Sequence, residues 1–244
     1  MNRKIYFDHC YSLDEGHKFL KILEELGFVA DHRVTEHPGV LCKFIFFKNN
    51  RYIEFVHKLS NTDTFTPSGF SFGYSKSLEL FKEELESNTS IKTDLTHKNY
   101  DWKNNDSDHL PGWDYLNFKN NVFPQLHLWF TQYGPRPESK FDIPEHPNGA
   151  TEIYGHIFVV NKEGRDFFSI IFNQIIKDKV ILNDGTVLHF KEGNKNHHLA
   201  VLINSNGDLS KYVSANNHLM GDSLCIKNPS VGMWDIVLTN KKLV

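Results

Sequence analysis

The apolar positions of this chain change spacing several times, and each change marks an element. From Ile5 to Tyr11 apolar and polar residues roughly alternate, which predicts a strand. From Leu13 to Leu26 the spacing becomes helical, with Leu13, Phe19, Leu20, Leu23 and Leu26 on one side. Asp14 and Glu15 sit in the first turn, where the helix dipole favours acids, and Gly27 supplies a natural stop. Phe28 to Val34, Leu41 to Phe47 and Tyr52 to Leu59 are short and rich in aromatic or β-branched residues, so each reads as a strand. Lys48-Asn49-Asn50-Arg51 joins the last two as a hairpin. Residues 1–60 thus carry the order β-α-β-β-β.

That order recurs. Phe70 to Tyr74 predicts a strand and Leu78 to Leu85 a helix, followed by strand-like runs at Ile91 to His97, Trp113 to Phe118 and Leu126 to Tyr133. A third start lies at Ile153 to Val160. It leads to a helix from Gly164 to Ile176 and to strands near Val180 to Leu182, Val187 to Phe190, Leu199 to Ile203 and Trp234 to Leu238. The units are placed at 1–60, 69–134 and 150–244, the third one partial. The linker 135–149 carries Pro135, Pro137, Pro144 and Pro147, which exclude helix and central strand.

Composition narrows the function classes. A net charge of -3 opposes broad affinity for nucleic acid, and no stretch is apolar and long enough for a signal peptide or a membrane span. The three cysteines, Cys10, Cys42 and Cys225, are widely spaced, so neither a zinc knuckle nor a disulfide framework is expected, and the address expected is cytoplasmic. Phosphate-binding glycine loops and the serine-hydrolase elbow are absent from the sequence, and His197-His198 has no acidic residue at helical ligand spacing.

Several residues carry a resemblance. Phe7-Asp8-His9 ends the first predicted strand, His37-Pro38-Gly39 precedes the third, and Tyr52-Ile53-Glu54-Phe55-Val56 forms the fourth. His146-Pro147-Asn148-Gly149-Ala150 stands just before the third unit. In this order the motifs resemble the glyoxalase-like branch of the vicinal oxygen chelate superfamily, most closely over residues 5–59. The resemblance implies an α+β fold of tandem βαβββ units that form a curved mixed β-sheet cup with helices outside. It also implies a lyase- or isomerase-type enzyme, or a dioxygenase-like one, acting on a small oxygenated molecule.

Carried over residue by residue, the resemblance implies His9 and Glu54 as ligands of a divalent metal (zinc, nickel, manganese or iron), with His127 as a candidate third. Glu54 is the implied catalytic carboxylate, able to serve as general base without a metal. The second unit departs from the pattern: its first strand has no histidine, and the position aligned with the glutamate holds Leu128, next to His127. The plain alternative is a buried, hydrogen-bonded His9–Glu54 pair lining an apolar cup. His37 and His146 in His-Pro turns, and Arg136 in Gly-Pro-Arg-Pro, are candidate substrate contacts, with a surface turn or a structural tie as the plain alternative. Alternation places Cys10 on the face opposite His9. A second function remains open, a binding protein that sequesters an apolar or aromatic ligand, and the 20 phenylalanines suit such a pocket. A third is a structural duplication that mediates homodimerisation. The expected partner is a small molecule, with neither nucleic acid nor membrane.

Overall fold

In the computed structural model, the described residues are 3–31, 35–37 (backbone only), 39–59, 66–98, 112–119, 122–134, 143–214, 217–230 and 233–240. The first unit runs β1 (Ile5–Leu13), α1 (Lys18–Glu25), β2 (Thr35–His37), β3 (Val40–Phe46) and β4 (Tyr52–Lys58). The second runs β5 (Ser68–Tyr74), α2 (Leu78–Asn88), β6 (Thr93–Lys98), β7 (Trp113–Phe118) and β8 (Leu126–Tyr133). Together they make one eight-stranded mixed sheet in the order β2-β3-β4-β1-β5-β8-β7-β6. The two units meet through the antiparallel pair β1–β5, and each central strand is flanked by the fourth strand of its own unit in parallel, β4 and β8.

The C-terminal stretch repeats the arrangement. It comprises β9 (Ala150–Val160), α3 (Lys162–Phe172), β10 (Lys179–Ile181), β11 (Val187–Glu192), β12 (His197–Ser205), β13 (Asn217–Met220), β14 (Ser223–Ile226) and β15 (Asp235–Thr239). Its seven-stranded sheet centres on the antiparallel pair β9–β12, flanked in parallel by β11 and β15. The partial third unit is therefore followed, from β12 onward, by a second half in which a short 3₁₀ turn, Leu209–Tyr212, stands where a helix would be. The β13–β14 hairpin was not among the predicted strands.

Two local departures from the expected elements have physical causes. The helix expected from Leu13 starts only at Lys18, because Gly16 (φ 67°) and His17 (φ 53°) are left-handed and break the run into a 3₁₀ turn, Glu15–His17. Asp14 then caps α1 from a distance, its carboxylate accepting the Phe19 and Leu20 amides at 2.8 and 2.9 Å. The strand expected over Phe28 to Val34 is irregular over its described residues, 28–31, and β2 forms just beyond it.

The helices pack on one side of the first sheet, the side that also meets the second sheet. Phe7 and Phe70 meet His156 across the centre at ring separations of 4.4 and 4.7 Å. Phe19 of α1 touches Phe55 and Trp234, and Phe168 and Phe172 of α3 reach Phe158 and Phe72. This is one continuous apolar core, and it leaves the other, concave face of the first sheet for chemistry. No helix of the described residues is long and apolar enough to cross a membrane.

Candidate functional site on the concave face of the N-terminal sheet

β1 owes its facing to an irregularity. Strict alternation would put Phe7 and His9 on the same side. Phe7 lies in the core, yet His9 lies on the concave face, because the pairing with β5 jumps between Phe7↔Phe72 and His9↔Ser71 and leaves Asp8 as the extra residue of a bulge. Beyond the bulge, alternation resumes. Cys10 returns to the core and Tyr11 to the concave face, as expected for Cys10.

β5 contributes the floor. Phe70 and Phe72 point to the core, while Gly69, Ser71 and Gly73 face the cup. Both glycines are needed for close approach: a Cβ on Gly69 would lie 2.0 Å from the Tyr11 ring and one on Gly73 1.8 Å from the Tyr6 ring. Rings from β1 thus lie flat over β5. Tyr11, Val40, Cys42, Val56 and Trp129 form a small apolar cluster on this face, with Leu13, Phe44 and Tyr115 against it.

The polar centre sits among these rings. His9 Nδ1 contacts Asp8 Oδ2 at 2.7 Å, and Tyr133 donates its hydroxyl to the same oxygen at 3.2 Å. The Tyr133 and Tyr52 hydroxyls are 3.1 Å apart, and the Tyr52 ring stacks on His9 at 4.6 Å with 9° between planes. With Nδ1 committed to Asp8, His9 presents Nε2 to Glu54, whose Oε2 is 3.9 Å away. The side chains of His9, Asp8 and Glu54 are 6%, 10% and 15% exposed, so each depends on its partners. Burial pushes the Cys42 thiol up, helped by the neighbouring Glu54 charge, and pushes the Tyr52 phenol up around its enclosed hydroxyl. Neither is a nucleophile at neutral pH.

The structure brings His9 and Glu54 together and distributes the other candidates. His127 does face the cup without any slip, but it stacks on the far side of Trp129 at 4.6 Å and bonds Asn117 Oδ1 at 2.9 Å. Burial holds its imidazole down at about 4, so it is neutral. Leu128 packs in the core. Register shows which residue actually matches Glu54: β1 pairs β4 with Tyr11 beside Glu54, and β5 pairs β8 with Gly73 beside Thr131. Since His9 faces Ser71 across the central pair, Ser71 is the counterpart of His9 and Thr131 that of Glu54. Those two hydroxyls bond each other at 2.7 Å, and Thr131 also accepts the Trp129 indole N–H at 2.8 Å.

His146 is a tie rather than a cup residue. It accepts the Val29 amide at Nδ1 (3.0 Å) and contacts the Phe46 carbonyl through Nε2 (3.0 Å), wedged between Phe28 and Phe47. It fastens the start of the third unit to the first. His37 closes β2 opposite Val40, with its side chain outside the described residues, and Arg136 lies outside them altogether. Sequence reasoning missed Asp8, Tyr52, Trp129 and Tyr133 as parts of the polar centre. Asp8 stood in the Phe7-Asp8-His9 motif, but only the bulge in β1 brings it to the His9 ring.

Among the described residues, the donor set does not fit a resident metal. His9 Nε2 and Glu54 are two donors, where catalytic centres keep three protein ligands, and the counterpart positions hold hydroxyls bonded to one another. Among the described residues, no three His, Cys, Asp or Glu side chains converge to hold an ion.

Paired βαβββ units joined through their first strands define a vicinal oxygen chelate-type fold. Among solved structures, the chain is similar to a hypothetical protein from Staphylococcus aureus (11% identity, TM-score 0.64, covering 96% of this chain and 98% of that one). It is also similar to a variant of homoprotocatechuate 2,3-dioxygenase from Brevibacterium fuscum (12%, TM-score 0.57, 98% and 71%) and to the same enzyme from Arthrobacter globiformis (12%, 0.56, 97% and 79%). At these identities the likeness is one of fold. No protein-family profile matches the sequence, and no curated protein does.

Proposed function

We propose that the concave face of the N-terminal sheet binds a small oxygenated molecule, and that His9 and Glu54 move a proton on it in a lyase- or isomerase-type reaction. The observation that supports this most is the line Asp8–His9–Glu54. A carboxylate anchors one imidazole nitrogen at 2.7 Å, and the other nitrogen faces a second, largely buried carboxylate at 3.9 Å. Such a line is the arrangement of an oriented acid–base pair. Glu54 would take a proton from a carbon or hydroxyl next to the substrate's oxygen. His9, charged as an imidazolium with its Nδ1–H held by Asp8, would give its Nε2 proton to the adjacent atom and recover one from the protonated Glu54, and the rings of Tyr11, Tyr52 and Trp129 would keep water away. No step requires a metal.

A second reading, a binding protein without turnover, draws on the Ser71–Thr131 pair, which puts two hydroxyls where the first half has His9 and Glu54. One experiment separates the two. The chelator-treated protein and its Glu54→Gln variant are incubated with a panel of small hydroxy- and oxo-compounds, followed by proton NMR, with metal content measured beforehand. Turnover in the parent that is lost in the variant supports the enzyme. Ligand-induced shifts without turnover leave the binder. Turnover that appears only after a divalent metal is restored overturns the metal-free mechanism.

A further inference from the structure

One side of the cup is walled by aromatic faces. Phe44 lies 5.8 Å from Phe46 and 5.7 Å from Tyr52, and Phe46 lies 5.5 Å from Tyr52, at interplanar angles of 29°, 73° and 46°. All three rings are half-buried rather than part of the core, and they stand on the concave face, since Ile45 between Phe44 and Phe46 belongs to the core. Partly exposed aromatic rings on one sheet face offer ring surface to a ligand. Phe44 pairs with Glu54 across β3–β4, so the carboxylate lies beside this wall.

Charge decides what the wall faces. Among the described residues, Asp8 and Glu54 share a single ion partner, His9, at 2.7 and 3.9 Å. Two carboxylates against one imidazole leave surplus negative charge in either protonation state of the ring. Among the described residues, the cations around the pair are occupied, turned away or, as with Lys58 four residues along β4, not paired with Glu54. Arg51 pairs with Asp184 at 2.8 Å and lies over Tyr6, His57 pairs with Glu15, and Lys43 alternates onto the helix side, where its charge is felt by His17. A largely buried carboxylate lacking a full counter-charge calls for a cation, and ring faces attract one through their quadrupole. A bare metal ion would gain no donor from phenyl rings, and an anionic ligand would meet Asp8 and Glu54.

We propose that the site takes a small organic cation, an amine- or ammonium-bearing molecule, with Glu54 as counter-ion and Phe44, Phe46 and Tyr52 as its aromatic wall. This rests on the cup being the small-molecule site and names the class of ligand it selects. The positive group would sit between Glu54 and the rings, leaving the oxygenated part of the same molecule to face His9.

The test compares three ligands of one shape: choline, its uncharged isostere 3,3-dimethylbutan-1-ol, and the anion 3,3-dimethylbutanoate. Each is titrated into the full chain, freed of metal by chelator, and followed by tryptophan fluorescence and by NMR of the His9 and Trp129 ring signals. Choline should bind about 10-fold more tightly than the alcohol, with the anion weakest, and Glu54→Gln should abolish that preference. Phe44→Leu, which keeps an apolar side chain, should weaken choline about 3-fold and leave the circular-dichroism spectrum intact. Equal or tighter binding of the alcohol, with the same ring shifts, overturns the cation assignment and leaves the cup standing as a pocket. Absence of any shift at His9 or Trp129 with all three ligands overturns both the assignment and the cup.

Discussion

Asp8 and His9 are adjacent in sequence, yet their side chains meet on one side of the sheet, Oδ2 to Nδ1 at 2.7 Å. Regular strand geometry sends neighbours to opposite faces, so this contact exists only because β1 is bulged at Asp8. The bulge achieves two things at once: it turns His9 from the core to the cup, and it supplies the carboxylate that fixes the ring. Asp8→Asn should therefore act through His9. An amide at this position can donate to Nδ1 and would drive the neutral ring into the opposite tautomer, leaving Nε2 protonated toward Glu54. We expect turnover, or ligand affinity if there is none, to fall about 10- to 100-fold with the fold retained. Nitrogen-15 NMR of the imidazole reports the tautomer directly, and an unchanged tautomer in the variant would remove Asp8 from the site.

The pseudo-twofold that matches His9 with Ser71 and Glu54 with Thr131 is itself testable. Ser71→His together with Thr131→Glu places the first half's side chains in the second half, facing the originals across β1–β5. The double variant should gain divalent-metal binding by having four convergent donors in place of two, as a structural or catalytic centre requires. Isothermal titration with zinc would show it. Binding no tighter than in the parent would mean that the register argument has mismatched the halves.

Gly69 tests the packing of the cup without touching its polar groups. A methyl there would fall 2.0 Å from the Tyr11 ring and 2.6 Å from the Trp129 ring, both of which would have to move. Gly69→Ala should destabilise the protein by about 1–3 kcal/mol, as overpacking does, and should change the environment of Trp129. Urea unfolding and tryptophan emission measure the two effects. A fully stable variant with unaltered emission would show that the rings do not lie over β5.

How much of this was legible in the chain follows from what each signal depends on. The βαβββ order of residues 1–134 came through because each element carries its own periodicity, and Gly27 ended α1 as expected. The β13–β14 hairpin was hidden, since each strand has only four residues and Met220-Gly221-Asp222-Ser223 reads simply as polar turn. His9 and Glu54 could be chosen from local motifs, because both belong to one unit. The match of Glu54 with Thr131 could not, since it depends on register across β5–β8, which no local window contains. The alignment to Leu128 failed for that reason: Leu128 is a core residue of the same strand, three positions away. Asp8 could not be singled out, because its contact with His9 depends on a bulge that the sequence pattern does not mark.

The two buried histidines between the sheets make stability depend on pH. His156 Nδ1 lies 3.2 Å from His198 Nε2, which also contacts the Ala200 carbonyl at 3.1 Å, and His156 Nε2 and His198 Nδ1 have no partner. Packed against Phe7, Phe70 and Phe158, neither ring can hold a charge. Burial drives His198 down to about 3 and His156 well below its ordinary value. In the unfolded chain both return to roughly 6.5. Below that pH the unfolded state binds protons that the folded state refuses, so folding stability is intact above about pH 6.5 and falls as the pH drops toward 3. Each histidine contributes a slope of up to about 1.4 kcal/mol per pH unit in that window. The double variant His156→Leu, His198→Leu should therefore lose less stability than the parent between pH 7 and pH 4.5, whatever its stability at pH 7. Urea denaturation at several pH values gives both curves. Parallel curves would show that the pair does not remain uncharged in the folded protein, and a steeper curve for the variant would reverse the sign of the argument.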